Sequence, residues 1–209
     1  MSAVAGDAVG TRERLLDAAR AVIEERGYGA ASVVAIVARA GVAAGTLYRH
    51  FASKEELFVE VFRSVCAGEE RAMRLAAARA APEASRVAVL EAVLATFAER
   101  ALRNPRLAWA LIAEPVDRRV DAERLRYRER YARTVAEMLR AAVAAGEVPP
   151  QRVEFTAAAL IGGCGEALVG PLSPVAGARP APAEVAAALR MFVRRAVGAR
   201  VEGGDGRCE

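Results

Sequence analysis

The feature that most constrains this chain is the stretch of residues 32–57, in which three short helix signals follow one another closely. Ser32 can cap a short apolar helix, and Gly41 can end it in the left-handed conformation that a sharp turn needs. A second short helix is predicted over residues 43–50, and Ser53 opens the capping-box pattern SKEE of a third. The spacing predicts a helix-turn-helix followed at once by a supporting helix.

The second of these helices has an apolar face and a polar face. Leu47 and Phe51 lie four residues apart, so we expect them to anchor the helix to a small core. The other face carries hydroxyl, phenol, guanidinium and imidazole groups, all of which can bind phosphate oxygens. Lys54 stands in the first turn of the third helix, where a cation is unfavourable, so an external anion is the expected partner. Residues 39–54 include three cationic residues and no acidic one, which makes the positive charge local.

Residues 40–58, AGVAAGTLYRHFASKEELF, resemble the signature of the TetR family of bacterial transcriptional regulators. The fixed order of two glycines, a Thr-Leu-Tyr run, a His-Phe pair and a Ser-Lys pair makes the resemblance specific. It implies a ligand-responsive repressor, not an enzyme, that leaves a palindromic operator in double-stranded DNA when a small effector binds. A helical hairpin that merely packs is the alternative. The DNA-binding residues predicted from this stretch are Ser32, Ala43, Ala44, Gly45, Thr46, Tyr48, Arg49, His50 and Lys54.

The rest of the chain has helical periodicity throughout, which predicts an all-α fold: an N-terminal helix-turn-helix domain of three helices followed by a larger helical bundle. The first helix is expected to run from Thr11 to Arg26, where Gly27 stops it. Further helices are expected at about residues 53–80, 83–103, 104–113, 117–145, 151–170 and 183–197. The predicted domains are a flexible arm at residues 1–10, a DNA-binding domain at 11–60, an effector-binding and dimerisation domain at 61–197 and a disordered tail at 198–209.

The middle helices hold more large apolar residues than a bundle of this width needs at a dimer seam. In proteins that this chain resembles, the same region encloses a cavity. Aromatic rings with a few hydroxyl groups would suit a small apolar or aromatic effector, although a filled core is the alternative. The predicted pocket residues are Phe62, Val65, Leu94, Phe97, Trp109, Leu111, Tyr127, Tyr131 and Met138.

One short recognition helix contacts too few base pairs to select a genomic site, so two copies about 34 Å apart, one turn of DNA, are expected. The two C-terminal helices carry stripes of mostly apolar residues at helical spacing, and four such helices from two chains make a symmetric bundle. The glycines at residues 162–165 are costly within a helix unless they permit close packing. The predicted homodimer interface comprises Phe155, Ala158, Ala159, Gly162, Gly163, Glu166, Val185, Ala188, Leu189, Phe192 and Val193.

Three cysteines, Cys66, Cys164 and Cys208, lie far apart, and His50 is the only histidine. This spacing predicts no metal site and no cofactor, and buried structural cysteines are the default interpretation. A thiol-based redox-sensing regulator and, less favoured, an all-helical enzyme are the alternatives. The acidic residues between positions 114 and 121 are interpreted as helix-end caps rather than catalytic groups.

Composition and the chain ends predict the compartment. Apolar residues make up 54% of the 209 residues, which is enough for a real core. The N-terminus has neither the basic region nor the long apolar run of a leader, and no later segment is expected to span a membrane. A cytoplasmic protein is therefore expected.

Overall fold

A computed structural model describes most of the chain, with side chains from residue 10 onward. The described residues form helices joined by turns and loops, and they include no strand. The prediction of an all-α fold is confirmed. The last ten residues of the predicted C-terminal tail lie outside the described part of the chain. The residues that the structure describes are 2–81, 83–115, 117–175, 177 and 179–199.

The helices follow the predicted order, and most of their ends lie within three residues of the predicted ones. The differences at most ends come from caps that only a structure defines. The helices are α1 Ser2–Arg26, α2 Val33–Ala40, α3 Ala44–His50, α4 Lys54–Ala78, α5 Arg86–Arg103, α6 Pro105–Ile112, α7 Arg118–Ala144, α8 Val153–Leu172 and α9 Pro182–Ala196.

The start of α1 differs from the prediction. The helix begins at Ser2, so residues 2–10 are helical and do not form the expected arm, and the expected cap at Thr11 is wrong; Met1 lies outside the described residues. Thr11 lies within the helix and is buried, and its hydroxyl accepts a hydrogen bond from Arg14 at 3.0 Å. The preceding residues are mostly alanine, valine and glycine, and a glycine costs a helix only about 1 kcal/mol relative to alanine without ending it.

The helix-turn-helix is held by hydrogen bonds at the ends of its helices. The Ser32 hydroxyl accepts a hydrogen bond from the Ala35 N–H at 3.1 Å and so caps α2. Gly41 ends α2 with φ 67°, a conformation that strongly favours glycine. The following N–H, that of Val42, donates to the Val37 carbonyl at 3.1 Å. This pattern satisfies the last carbonyls of α2 and turns the chain toward α3.

Helix α4 begins with the predicted cap and carries the chain out of the helix-turn-helix. The Ser53 hydroxyl accepts from the Glu56 N–H at 3.2 Å, and the Glu56 carboxylate accepts from the Ala52 N–H at 2.7 Å. Phe58 and Phe62 of α4 belong to a buried cluster that also includes residues of α1, α2, α3, α6 and α7. The N-terminal helices are therefore joined to the rest of the chain through a packed core and without a flexible linker.

A second buried cluster lies between α5, α7, α8 and α9. Leu94, Leu139, Leu160 and Val193 are among its fully enclosed members. The two clusters meet around α4, α6 and α7, and this is the region in which the sequence predicts a pocket.

Helix α8 contradicts the prediction that no segment reaches the length of a membrane span. Residues Val153–Leu172 have a mean hydropathy of 1.4, and by length and composition alone such a helix could cross a bilayer. The test is weak for a single helix, because core helices of soluble proteins also meet it. One side of α8, including Leu160 and Leu168, is buried in the second cluster. Burial accounts for the apolar character of that side alone, since 28% of the helix window is buried.

Candidate nucleic-acid interface and internal cavity

Helix α3 presents a polar face that is anchored from below. Leu47 is fully buried, and Phe51, which ends the helix, is 1% exposed. Tyr48 is 56% exposed and Arg49 is also exposed. Gly45 has open space where a side chain would stand, so a flat surface can approach its backbone. The helix thus offers its polar side chains on a fixed support.

The start of α3 lacks a side-chain cap. Ala43 has the extended conformation of a capping residue, but its methyl group cannot accept a hydrogen bond. Ala44 follows it at the exposed first position of the helix. The first N–H groups of α3 therefore stay free of a side-chain cap.

Among the cations of the N-terminal helices, only some are neutralised within the chain. Arg39 bonds to Glu25 at 2.6 Å, and Arg12 bonds to Glu60 at 2.9 Å. Arg49 donates instead to the Thr46 hydroxyl at 3.0 Å and has no carboxylate partner among the described residues. Arg49 therefore leaves positive charge on α3 that is available to an external anion.

Lys54 has a partner that the sequence did not reveal. Its ammonium donates to the Tyr28 carbonyl at 3.3 Å and lies 4.5 Å from the centroid of the Tyr28 ring. Tyr28 in turn packs on Phe58, with 4.1 Å between the ring centroids. These contacts stabilise a cation at a helix N-terminus without an external anion, so the position of Lys54 alone does not indicate one. An ammonium has three donors, so a phosphate contact remains sterically compatible.

An internal cavity of about 250 Å³ lies among α4, α5, α6, α7 and α8. Most of its wall is apolar, as is usual for sites that bind small molecules. Seven of the nine predicted pocket residues line it. These are Phe62, Val65, Leu94, Phe97, Leu111, Tyr127 and Tyr131.

Two predicted pocket residues lie elsewhere. Trp109 is not among the lining residues; it is partly buried and packs against the second core cluster. Met138 lines a separate groove of about 640 Å³ between α4, α5 and α7. Both errors have one cause: periodicity identifies an apolar residue, but it does not identify which neighbour covers that residue.

The tyrosine hydroxyls of the cavity are already engaged. Tyr127 donates to the Arg63 carbonyl at 3.4 Å, and Tyr131 donates to the Cys66 carbonyl at 3.4 Å. Burial raises the pKa of both phenols, so they stay neutral at physiological pH. Each hydroxyl donates its proton to a backbone carbonyl and retains acceptor lone pairs that a ligand could use.

Both described cysteines line the cavity, which sequence reasoning missed. Cys66 and Cys164 are free and buried. Burial raises the pKa of the Cys66 thiol to about 12 and that of the Cys164 thiol to about 11. Because the thiolate is the reactive form, these thiols are poor nucleophiles and poor redox sensors at neutral pH. One signal in the sequence could have identified Cys66 as a cavity residue: it directly follows Val65, which was predicted to line the pocket.

Comparison with known proteins shows that the N-terminal helices are similar to those of bacterial transcriptional regulators. Residues 15–61 match the family model described as bacterial regulatory proteins, tetR family. Over 63 residues the chain is 46% identical to the HTH-type transcriptional repressor KstR2 of Mycobacterium tuberculosis, an alignment that covers 30% of this chain and 32% of KstR2. The HTH-type transcriptional regulator UidR of Escherichia coli is 41% identical over 63 residues, which cover 30% of this chain and 31% of UidR. Residues 15–61 therefore carry the helix-turn-helix of the TetR family.

The two halves of the chain differ in how they resemble known proteins: one by sequence, the other by fold alone. The aligned segment spans about a third of the length of the curated relatives. The whole fold is similar to the fatty acid degradation regulator FadR from Bacillus halodurans, with a TM-score of 0.74, 18% identity and coverage of 87% of this chain and 93% of FadR. The second half therefore shares the fold of that regulator, whereas the sequence identity to the curated relatives lies in the helix-turn-helix.

The predicted dimer stripe on α8 faces outward. Phe155 is 75% exposed, and Gly162 has open space where a side chain would stand. The other exposed members of the stripe are Ala158, Ala159 and Glu166. A 20-residue helix with so much exposed apolar surface leaves a face available to a second chain.

The predicted stripe on α9 mixes two faces of the helix. Leu189 and Val193 are buried in the second core cluster, so their assignment to the dimer interface is wrong. Ala188 and Phe192 are exposed, with Phe192 at 41%. A side chain on Gly163 would come within 3.0 Å of the Phe192 ring, so this glycine permits close packing of α8 on α9 within one chain.

Glu114 links the helix-turn-helix to the cavity helices. Its carboxylate accepts hydrogen bonds from the Gly29 N–H at 3.1 Å and the Tyr28 N–H at 3.4 Å, in the loop before α2. Of the predicted helix-end caps, Asp117 does cap α7, whereas Glu114 does not cap a helix. Arg124 donates to the Glu114 carbonyl at 2.6 Å and also lines the cavity. A short chain of contacts thus connects the cavity to the loop that holds Lys54.

Proposed function

We propose that this chain is a ligand-responsive transcriptional repressor rather than an enzyme. In this proposal it acts in the cytoplasm as a homodimer on a palindromic operator in double-stranded DNA, and a small effector in the internal cavity releases it. The single observation that carries the proposal is α3, a firmly anchored helix whose exposed face carries unneutralised positive charge.

The DNA-contacting surface is proposed to be the outer face of α3 with its flanking residues. Thr46, Tyr48, His50 and Lys54 would bind phosphate oxygens, and Arg49 would reach a base edge. Gly45 and the uncapped start of α3 would allow the backbone itself to approach a phosphate. The absence of a carboxylate on this face, within the described residues, supports an anionic partner.

Homodimerisation is proposed through the exposed faces of α8 and α9. Phe155, Gly162 and Phe192 would lie near its centre, and the buried residues of both helices would support it from within. A symmetric pair of chains would place two copies of α3 on one face of DNA, about 34 Å apart.

Release by an effector requires that the ligand prefer one conformation of the dimer. To move DNA occupancy from nearly complete to nearly absent, the preference must be about 10⁴-fold, or roughly 5.5 kcal/mol. Helix α4 is suited to transmit it, because Lys54 stands at its start while Phe62 and Val65 line the cavity. A ligand that pushes on α4 would therefore change the position of α3.

Fluorescence anisotropy with labelled duplexes over a series of salt concentrations tests this proposal. Wild-type protein is expected to bind random duplex at low salt and to prefer one palindrome as salt rises. Lys54→Ala is expected to weaken binding to all sequences alike and to lower the salt slope by about one. Arg49→Gln is expected to relax the preference at one base position, at a cost of about 1–3 kcal/mol in discrimination.

Arg118→Gln is the matched control, because Arg118 is exposed on α7 and its loss removes the same charge. It should leave both affinity and salt slope unchanged. Lys54 also bonds the Tyr28 carbonyl, so its replacement could destabilise the fold. Thermal unfolding of each variant therefore distinguishes a lost DNA contact from a loss of folded structure. Wild-type protein that fails to bind duplex at low salt would refute the function, and an unchanged slope in Lys54→Ala would refute the docking.

A further inference from the structure

The cavity wall has an excess of positive charge that a purely apolar ligand leaves uncompensated. Against one acidic lining residue, Glu69, the wall includes five arginines from α1, α5 and α7. Arginine stays charged at any physiological pH, so this imbalance cannot be relieved by deprotonation. The arginines are Arg20, Arg100, Arg103, Arg124 and Arg128.

Three of these arginines are occupied within the chain. Arg100 bonds Glu69 through two contacts of 2.7 and 3.0 Å, so the single acid of the wall is already used. Arg20 bonds Glu24 at 2.8 Å. Arg124, whose side chain is 12% exposed, bonds Asp121 and the carbonyls that end α6. These three guanidiniums already bond partners within the chain and have few N–H donors left for a ligand.

Arg103 and Arg128 are different. Neither has a carboxylate or carbonyl partner among the described residues, and both side chains are exposed. An exposed residue can line a cavity only where the cavity opens to solvent. The deep wall, by contrast, is apolar and buried, with Phe62, Val65 and Leu94 all under 8% exposed. The cavity therefore has an apolar interior and a cationic opening.

We propose that the ligand of this cavity is an amphipathic anion, whose apolar body lies against the deep wall and whose carboxylate or phosphate group bonds Arg103 and Arg128. A guanidinium pairs with either anion through two parallel hydrogen bonds, so the chemistry is shared by fatty carboxylates and phosphate esters. Partial screening by solvent at the opening weakens this pairing without removing it. The inference deepens the proposed function, since it takes the cavity to be the effector site.

Calorimetric titration of the full chain, without DNA, tests the inference with three probes that share one chain length: decanoate, decyl phosphate and decan-1-ol. The anionic probes are expected to bind about tenfold tighter than the alcohol, or more, because a hydrogen bond to a charged group contributes more than a neutral one. The stronger of the two anions identifies the head group. The double variant Arg103→Gln, Arg128→Gln is expected to bind decanoate and decan-1-ol with equal affinity.

The matched control is the double variant Arg118→Gln, Arg179→Gln, which removes two exposed arginines outside the cavity. It should retain the preference for the anions. Anions that bind no tighter than the alcohol, or a preference that survives in the Arg103, Arg128 variant, would overturn the inference. A later anisotropy assay with decanoate separates the two proposals. Tight, arginine-dependent binding that leaves DNA affinity unchanged would refute release by an effector and leave the anion site standing.

Discussion

The contact between Glu114 and the loop before α2 yields a sharp prediction, because two residues 85 positions apart in the chain meet there. Replacing Glu114 by alanine removes both acceptors for the backbone N–H groups of Tyr28 and Gly29. Nothing else among the described residues accepts a hydrogen bond from those two groups. The loop would then be held to the cavity helices by packing and by the hydrogen bond from Lys54 to the Tyr28 carbonyl.

The expected loss in the free energy of unfolding follows from the geometry of the two Glu114 hydrogen bonds. A hydrogen bond to a charged acceptor contributes about 1.5–3 kcal/mol, but one of these contacts is long, at 3.4 Å, and the carboxylate is only half-buried. We therefore expect Glu114→Ala to lower the free energy of unfolding by about 1–2 kcal/mol. For a chain of 209 residues this corresponds to a fall in Tm of roughly 2–8 °C. Glu114→Gln keeps one oxygen acceptor and should lose about half as much.

Thermal unfolding measures the total effect, and amide hydrogen exchange locates it. Exchange at the Tyr28 and Gly29 amides should accelerate in Glu114→Ala, while amides in the middle of α5 remain protected. Glu137→Ala is the control, because Glu137 is exposed on α7 and has no hydrogen-bond or ion-pair partner among the described residues. Unchanged exchange at both amides, together with an unchanged Tm, would show that the contact contributes nothing.

Three further predictions concern assembly, acid stability and the core. Gly162→Leu fills the open space on the outer face of α8 and should yield monomers by light scattering; an intact dimer would refute the proposed interface. The hydrogen bond from Arg63 lowers the pKa of Glu123, so this carboxylate stabilises the fold above its ordinary pKa and the stabilisation is lost as the pH falls through the lowered value. Glu123→Gln should therefore cost about 1 kcal/mol at pH 7 and make unfolding less pH-dependent below about pH 4.5; equal acid sensitivity in both proteins would contradict this. Leu47→Ala should cost about 2–5 kcal/mol in chemical denaturation, whereas Leu125→Ala, at an exposed position, should cost under about 0.5 kcal/mol.

Local rules were sufficient to predict the helix-turn-helix. Ser32, Gly41 and Ser53 define their turns through hydrogen bonds and dihedral angles within three or four residues. The anchoring pair Leu47 and Phe51 follows from a helical period of 3.6 residues. In these cases the residue and its partner lie on the same short segment, so the sequence contains the whole interaction.

The pocket was predicted only in part. Periodicity places Phe62 and Val65 on the inner face of α4, and both line the cavity. It places Trp109 and Met138 on apolar faces too, but the packing of neighbouring helices covers Trp109 from another side and turns Met138 toward a different groove. The same limit explains why Leu189 and Val193, which lie on an apolar stripe of α9, were wrongly assigned to the dimer interface.

The helical fold, the position of α3 and the likeness of residues 15–61 to the TetR family follow from the amino-acid sequence alone. The packing of the helices sets the contact of Lys54 with Tyr28, the contact of Glu114 with the loop before α2, and the burial of Leu189 and Val193 in the chain's own core. The physical reason is the range of the interactions. Caps and helix periods act over a few residues and are written in the order of the chain, whereas the partner of a side chain across helices depends on how every helix packs.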